Sequence, residues 1–531
     1  MDLADETADK HAEELGSPAG PFPVKSPASG KDLPAVEATS DVGAVVKAAR
    51  EAQPRWAELS PERRARTLGK LKKAILERAE EIGKLIHDET GKPEAEALLG
   101  EVLASADVVA YWAEIAPEEL EPMEAELDAL AYPKKRAMIH RAPRGVIALV
   151  MPWNFPFALP LRTIVPALLA GNTVVLKPSE ITPRTGQLIF DLLEHIVPAG
   201  VFNVVQGGGD VGGSLIASDV DFVVFTGSTA TGKKVAHACA ELLRPCVVEL
   251  GGKDAAIVLK DADLERAANG ILWGAMMNAG QNCGAVERVY AEKDIAEALA
   301  KRIAEAAKAL RFKDDFGPLT TPAQRRIVER HVAAAKDAGA TILTGGEGID
   351  EQGFQPTVVT IDADDSPLVA DETFGPVVPV TAVADVEEAI RRANASRYGL
   401  TASLWTRDVR KAEKLAHRLH AGVVTINNHS FTGAIPSLPW GGIGESGWGF
   451  TGTPLALDHL TRPFAVVVDR NRAARETWWY PYTPTLKALA LTFAALRGGA
   501  KGIGGRIGAF FRLLGLLPKR MGELKSGKPA S

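Results

Sequence analysis

One of only three cysteines in this 531-residue chain, Cys283, stands in the stretch NAGQNCGAVER, residues 278–288. No second cysteine lies within metal-ligand distance, so the sulfur is either a small buried hydrophobe or a nucleophile. Nucleophilic chemistry also needs a base to move protons and fixed donors for the charge that develops. Glu249 ends the apolar run CVVE and meets two glycines; it is a strand-end acid, the commoner case, or a base held beside a ligand. Asn154 lies in the apolar segment MPWNFPF and, if buried, must be hydrogen-bonded, most simply to loop backbone. Lys177 and Glu180 follow the run TVVLK directly. Taken singly, none of these residues decides.

The elements that must position them are legible from periodicity. Residues 41–115 carry apolar positions at three-to-four spacing, as in RARTLGKLKKAILERAEEIGKLIHDETGK, with a Gly-Lys-Pro stop. Short β-branched runs then alternate with helical stretches: GVIALVMP, TVVLKP, FNVVQGG, DFVVFTGS, CVVELGG and AAIVLK. A second block, including RVYAEK, TILTGG, TVVTID, LTASLWT and GVVTIN, follows Cys283. The alternation predicts βαβ units and parallel sheets, with ligands beyond the carboxyl ends of the strands. No fixed-period repeat is present, which excludes a solenoid.

Two glycine-rich stretches mislead. GGGDVG, residues 207–212, fits G-x-G-x-x-G but has no acid about 20 residues on, since Asp219 and Asp221 come too early. GSTATGKK, residues 227–234, resembles a P-loop, yet Lys234 stands where Ser or Thr must reach Mg²⁺. What remains is a strand leading through Gly227 and Ser228 into a helix N-terminus, suited to a pyrophosphate or to an ordinary tight turn.

A chain of this length exceeds one ordinary core, so two or more lobes are expected. A composition of 46% hydrophobic and 24% charged residues is that of a globular protein, and a net charge of −6 argues against a nucleic-acid partner. Three cysteines cannot staple so long a chain, which points to a reducing, cytoplasmic setting. Residues 1–20 are acidic and polar, lack the apolar core of a signal peptide, and are expected to form a disordered arm.

In chain order, Pro-Trp-Asn-Phe-Pro, Lys-Pro-Ser-Glu, Phe-Thr-Gly-Ser-Thr, Glu-Leu-Gly-Gly-Lys, Gly-Gln-x-Cys and ETFGPV resemble the motifs of the NAD(P)-dependent aldehyde dehydrogenase superfamily. The step of 34 residues from Glu249 to Cys283 is similar to the family's own, and the resemblance runs from about residue 21 to 470. It implies an α/β fold of two doubly wound lobes with a small bridging oligomerisation sheet. The NAD-binding lobe would be residues 21–120 and 144–250, the catalytic lobe 251–453, and the sheet 121–143 with 454–470. A homodimer or homotetramer is implied by the resemblance alone.

The resemblance makes Cys283 the nucleophile, Glu249 the base for a deacylating water, and Asn154, with the Cys283 N–H, the oxyanion donor. It places Trp153, Lys177, Glu180, Gly207, Gly227, Ser228, Leu250, Gly251, Glu372 and Phe374 against the dinucleotide. A carboxylate at Glu180 accepts from a ribose 2′-hydroxyl and repels a 2′-phosphate, favouring NAD over NADP. No metal is implied. An acylating, CoA-dependent relative would need no water-activating base, so Glu249 argues against one. Retention of Cys283, Asn154 and Glu249 together argues against a non-catalytic scaffold.

The nearest branch holds succinate-semialdehyde and apolar dialdehyde dehydrogenases. Two arginines hold the distal carboxylate in semialdehyde enzymes. Arg162 matches one of them, with a structural ion pair as its alternative role, but Met277 stands at the other. Phe155, Leu159, Met277 and Trp440 would line an apolar tunnel, so an apolar or aromatic aldehyde is the expected substrate and succinate semialdehyde the alternative. In GGIGESGWGFTG, Gly444, Phe450 and Thr451 replace the family's charged residues; this departure is expected to touch packing near subunit contacts and not the chemistry.

The net charge hides an asymmetry. From Pro484 to Ser531 nine Lys/Arg face one acid, so this stretch is +8 and the remainder −14. In the tail, residues 471–531, the stretch TLKALALTFAALRGGAKGIGGRIGAFFRLLGLLPKR has its longest uncharged run, nine residues, between Lys487 and Arg497, far short of what a bilayer span needs. Ile503, Ile507, Phe510, Leu514 and Leu517 share one helical face, widened by Phe511, Leu513 and Leu516. Five glycines weaken that helix, so a surface would be needed to order it. Attachment to an anionic inner membrane face is one expectation, and packing on the acidic body the other.

Overall fold

The computed structural model describes residues 21–129, 131–499 and 502–526, so the arm at 1–20 lies outside the described residues. The chain forms two compact units. The first is Met1–Pro122 with His140–Phe464, and the second Met123–Ile139 with Ala465–Ser531.

A hairpin of β1 (Pro21–Lys25) and β2 (Asp32–Glu37) precedes the expected helices, among them Val42–Ala57, Ala79–Thr90 and Ala104–Glu119. Ahead of the last, periodicity misses one feature: Leu98–Leu103 is a π-helical segment. Five strands then build a parallel sheet: β5 (Val146–Val150), β6 (Thr173–Lys177), β7 (Phe202–Val204), β8 (Phe222–Thr226) and β9 (Cys246–Glu249). Both faces of β5 are apolar, with Ile147 and Leu149 in one core cluster and Val146 and Ala148 in another. A strand buried on both sides reads as a continuous apolar run.

The strand order is β9-β8-β5-β6-β7. The winding direction reverses between β5 and β8, and the crevice beyond their carboxyl ends is where such sheets bind ligands. The short β17 (Gly447–Trp448) adds to β9 antiparallel and brings the segment Trp440–Thr453 to that edge.

The second sheet contains β10 (Asp254–Val258), β11 (Val286–Glu292), β12 (Thr341–Thr344), β13 (Thr357–Thr360), β14 (Val377–Val383), β15 (Thr401–Trp405) and β16 (Val423–Ile426). Their order is β12-β13-β14-β11-β10-β15-β16, parallel except at β12. The expected α/β class with two doubly wound sheets is what the chain adopts.

The second unit carries a three-stranded sheet of β3 (Met123–Ala125), β4 (Lys135–Pro143) and β18 (Thr461–Asp469), with β4 central. It also contains the helices Pro484–Ala494 and Gly502–Ser526, which pack on each other. The glycines do not prevent the longer helix, contrary to expectation. Its buried face explains why: Ala509 and Leu513 are covered, and buried Arg520 donates to the carbonyls of Thr477, Trp479 and Pro481. Leu513 therefore belongs to the inner face and not to the outer stripe. Ile503, Ile507, Phe510, Phe511 and Leu514 remain exposed. No helix among the described residues is long and apolar enough to cross a membrane.

Candidate active site

Cys283 sits where two cavities meet. One is lined by Trp153, Asn154, Gly227, Ser228, Leu250, Gly251, Glu372 and Phe374. These residues come from the loops after β5, β8 and β9 and the turn before β14, around the reversal point of the first sheet. The other, of about 490 Å³, is lined by Phe155, Leu159, Arg162, Met277 and Trp440 among others. Lys177, Glu180 and Gly207 are not in either wall; Lys177 ends β6, and Glu180 and Gly207 follow β6 and β7 on the same sheet. Lys177 Nζ and Glu180 Oε2 form an ion pair at 2.9 Å.

The cysteine loop is held by its own backbone strain and side chains. Asn278 and Ala279 both adopt left-handed conformations, with φ of 55° and 54°. The Gln281 amide donates to the Asn278 carbonyl at 3.0 Å and accepts from the Thr320 N–H at 2.8 Å. Gly252 lets the loop approach the turn after β9, since a Cβ there would stand 2.5 Å from the Cys283 carbonyl oxygen. Burial pushes the Cys283 thiol up, and Glu249, Glu372 and Asp254 push it further. The resting sulfur is thus a neutral thiol that needs a base.

Glu249 is buried and accepts a hydrogen bond from Thr451 Oγ1 at 3.1 Å. Burial raises its carboxyl to about 7, against the opposing pull of Arg162 and Thr451. A carboxyl titrating there is suited to taking and returning protons near neutral pH. Thr451 also accepts from Arg162 Nε at 3.0 Å. The departure at Thr451 thus places a hydroxyl in direct contact with Glu249, beyond the packing that was expected to feel it. Its side chain is brought to Glu249 by the addition of β17 to β9.

Arg162 lines the apolar cavity, but its guanidinium is committed to Thr451, to the Gly433 carbonyl and to the Leu438 carbonyl at 3.2 Å.

Asn154 donates from Nδ2 to the Gln281 carbonyl at 3.2 Å, tying the loop after β5 to the cysteine loop. Its own carbonyl accepts from Lys92 Nζ at 2.7 Å, and Lys92 pairs with Glu101 at 2.7 Å in a fully buried bridge. Glu101 in turn accepts the N–H groups of Phe157 and Ala158. A second buried pair, Lys253 with Glu287, holds the other side: Glu287 accepts the N–H groups of Thr373 and Phe374 at 2.8 Å. Neither pair was anticipated. From sequence, Lys92 is only part of the Gly-Lys-Pro helix stop. The described residues include no group of three or more His, Cys, Asp or Glu able to hold a metal ion.

A family model described as the aldehyde dehydrogenase family matches residues 16–466. The chain is 38% identical over 437 residues to the 4,4'-diapolycopene aldehyde oxidase of Methylomonas sp, covering 81% of this chain and 82% of that one. It is 34% identical over 448 residues, 82% and 86% of the two chains, to a Mycobacterium ulcerans (strain Agy99) protein provisionally named an NADP(+) succinate-semialdehyde dehydrogenase. Among solved structures, the NAD⁺ complex of an aldehyde dehydrogenase from Bacillus cereus superposes with a TM-score of 0.81 at 35% identity, covering 85% of this chain and 94% of that one.

Proposed function

Since the chain belongs to the aldehyde dehydrogenase family, we propose that it oxidises an apolar aldehyde to its carboxylic acid at Cys283, with NAD as the hydride acceptor. The observation that carries this reading is the place of Cys283 between a glycine-containing cavity of mixed polar and apolar lining and a second, more apolar one.

The residues of the first cavity fit a dinucleotide. Ser228 caps the helix Thr229–Glu241, whose first-turn N–H groups and positive dipole end suit a pyrophosphate. Gly251 has no room for a side chain, since a Cβ would lie 2.2 Å from the Glu372 carboxyl, which is thus held at the cavity wall. Trp153 and Phe374, with ring centroids 5.7 Å apart, supply flat apolar surface. The carboxylate of Glu180 favours NAD over NADP.

The reaction follows from the groups present. Glu249 takes the thiol proton, and the sulfur bonds to the carbonyl carbon. Asn154 Nδ2 and the Cys283 N–H receive the negative charge that moves to oxygen. Oxidation of the resulting thiohemiacetal to a thioester needs a hydride acceptor, the chemistry a bound nicotinamide supplies. Glu249 releases the thiol proton to solvent and then takes a proton from water, which attacks the thioester carbon; the C–S bond breaks, the proton passes to the sulfur, and the acid and the free thiol result.

Three of the four charged residues in the second cavity wall, Glu96, Asp314 and Asp315, are acidic, and the fourth, Arg162, has its guanidinium occupied. A carboxylated aldehyde is disfavoured there, so an apolar aldehyde is favoured over succinate semialdehyde.

Homo-oligomerisation through the three-stranded sheet is part of the same reading. Its edge strand β18 exposes Phe464, Val466, Val467 and Val468, and an exposed apolar edge is a template for pairing. So is peripheral attachment to an anionic membrane through the helix Gly502–Ser526, whose outer stripe is apolar and flanked by Arg506, Arg512 and Lys519.

The test is aldehyde-dependent NADH formation by the wild type and by Cys283→Ser. Loss of activity with NAD affinity retained is expected. Near-normal turnover in the variant would remove the nucleophile assignment.

A further inference from the structure

The apolar cavity does not end where the protein surface begins. Leu99, Trp273 and Phe431, all in its wall, are 68%, 47% and 38% exposed. They come from three separate elements: the π-helical segment Leu98–Leu103, the helix Leu264–Met276 and the residue preceding the short turn Thr432–Ala434. Leu103, four positions beyond Leu99 and in the same segment, is 43% exposed. A π-helical turn takes in one residue more than an α-helical turn and so rotates side chains relative to a continuous helix. Here Glu101 and Val102 stay inside while Leu99 and Leu103 face water. Single exposed apolar residues need no explanation, but three converging on the rim of a cavity that leads to the reactive sulfur do.

We propose that this rim is a collar for the distal part of the substrate, which makes the substrate a long-chain aldehyde. Its chain fills the cavity of about 490 Å³ and continues over Leu99, Trp273 and Phe431. The inference rests on the aldehyde-oxidising reading of Cys283. The substrate's own chain is the occupant because the collar is continuous with the cavity wall, where Leu159, Met277 and Trp440 extend the apolar surface inward. Asp314 and Asp315, paired with Arg311, stand in the same wall and disfavour an anionic chain end.

The experiment is kcat/KM for straight-chain alkanals of six, eight, ten and twelve carbons, measured on the full chain with saturating NAD. In the wild type the value should keep rising across the series, by up to about fourfold for each CH₂ that gains full burial. Leu99→Ser and Phe431→Ser, both at exposed positions, should each lower the dodecanal-to-hexanal ratio by about threefold to tenfold. A flat wild-type series, or a ratio unchanged in both variants, would overturn the collar while leaving aldehyde oxidation intact. No turnover with any alkanal would overturn both.

Discussion

Thr451 Oγ1 stands between two groups of opposite charge, 3.1 Å from Glu249 Oε1 and 3.0 Å from Arg162 Nε. It accepts from the arginine and donates to the carboxylate, so one hydroxyl transmits the cation's influence to the base. Both partners pull the Glu249 carboxyl down against the larger upward effect of burial.

Removing that hydroxyl should therefore move the base to higher pH. In Thr451→Val the acidic limb of the kcat–pH profile is expected to shift upward from about 7, with activity recovered at alkaline pH. A profile superimposable on the wild type would mean that Thr451 does not tune the base.

Glu249→Gln separates chemistry from stability. Acylation and deacylation should both slow, because the same carboxyl serves the thiol and the water, and no burst of NADH should precede the steady rate; a clear burst would mean that Glu249 serves the water alone. The folded carboxyl titrates near 7 and the unfolded one near 4.5, so the native state binds the extra proton between those values. Wild-type stability should then fall as pH rises through that window, by at most on the order of 3 kcal/mol. Burial raises Glu89, Glu96, Asp254 and Glu372 in the same direction, so chemical denaturation of the variant should show a smaller fall between pH 5 and 8 than the wild type. An equal fall in both proteins would place the pH dependence elsewhere.

Arg162→Leu should not discriminate between substrates. Its guanidinium serves Thr451 and two carbonyls, so the loss leaves buried acceptors unpaired at about 1–3 kcal/mol each. Melting temperature should drop, and kcat/KM for hexanal and succinate semialdehyde should fall together. A loss confined to the semialdehyde would restore a carboxylate-binding role.

Attachment by the second unit can be tested without truncation. Phe510 and Phe511 are exposed, so serine at both positions should leave the helix intact. Co-sedimentation of the full chain with phosphatidylglycerol vesicles at low salt should be lost in the double variant. If the wild type itself stays in the supernatant, the stripe is not a membrane surface.

The sheets, and several residues that line the two cavities, were legible because each is local. A β-branched run followed by a polar turn marks both a strand and the place where its carboxyl end delivers a side chain, as at Glu249 and Asn154. The two buried ion pairs were not legible. Lys92 and Glu101 are nine residues apart and act on a loop 62 positions away through the carbonyl of Asn154. Nothing in a helix-stop lysine signals that its ammonium will be buried. The contact of Thr451 with Glu249 was hidden for a related reason: the two lie 202 residues apart, and the antiparallel pairing of Gly447 with Glu249 brings them together. The π-helical segment is invisible to a period count, because a single extra residue shifts the phase without weakening the pattern.

The two cavities share one sulfur and few walls, and that has a kinetic consequence. A carboxylic acid leaving the more apolar side need not displace a nucleotide, and a nucleotide leaving the glycine-containing side need not cross the acid. Branched instead of sequential release is the expected outcome: added acid should compete with aldehyde and added NADH with NAD, with turnover paced by whichever product is slower to leave its own side.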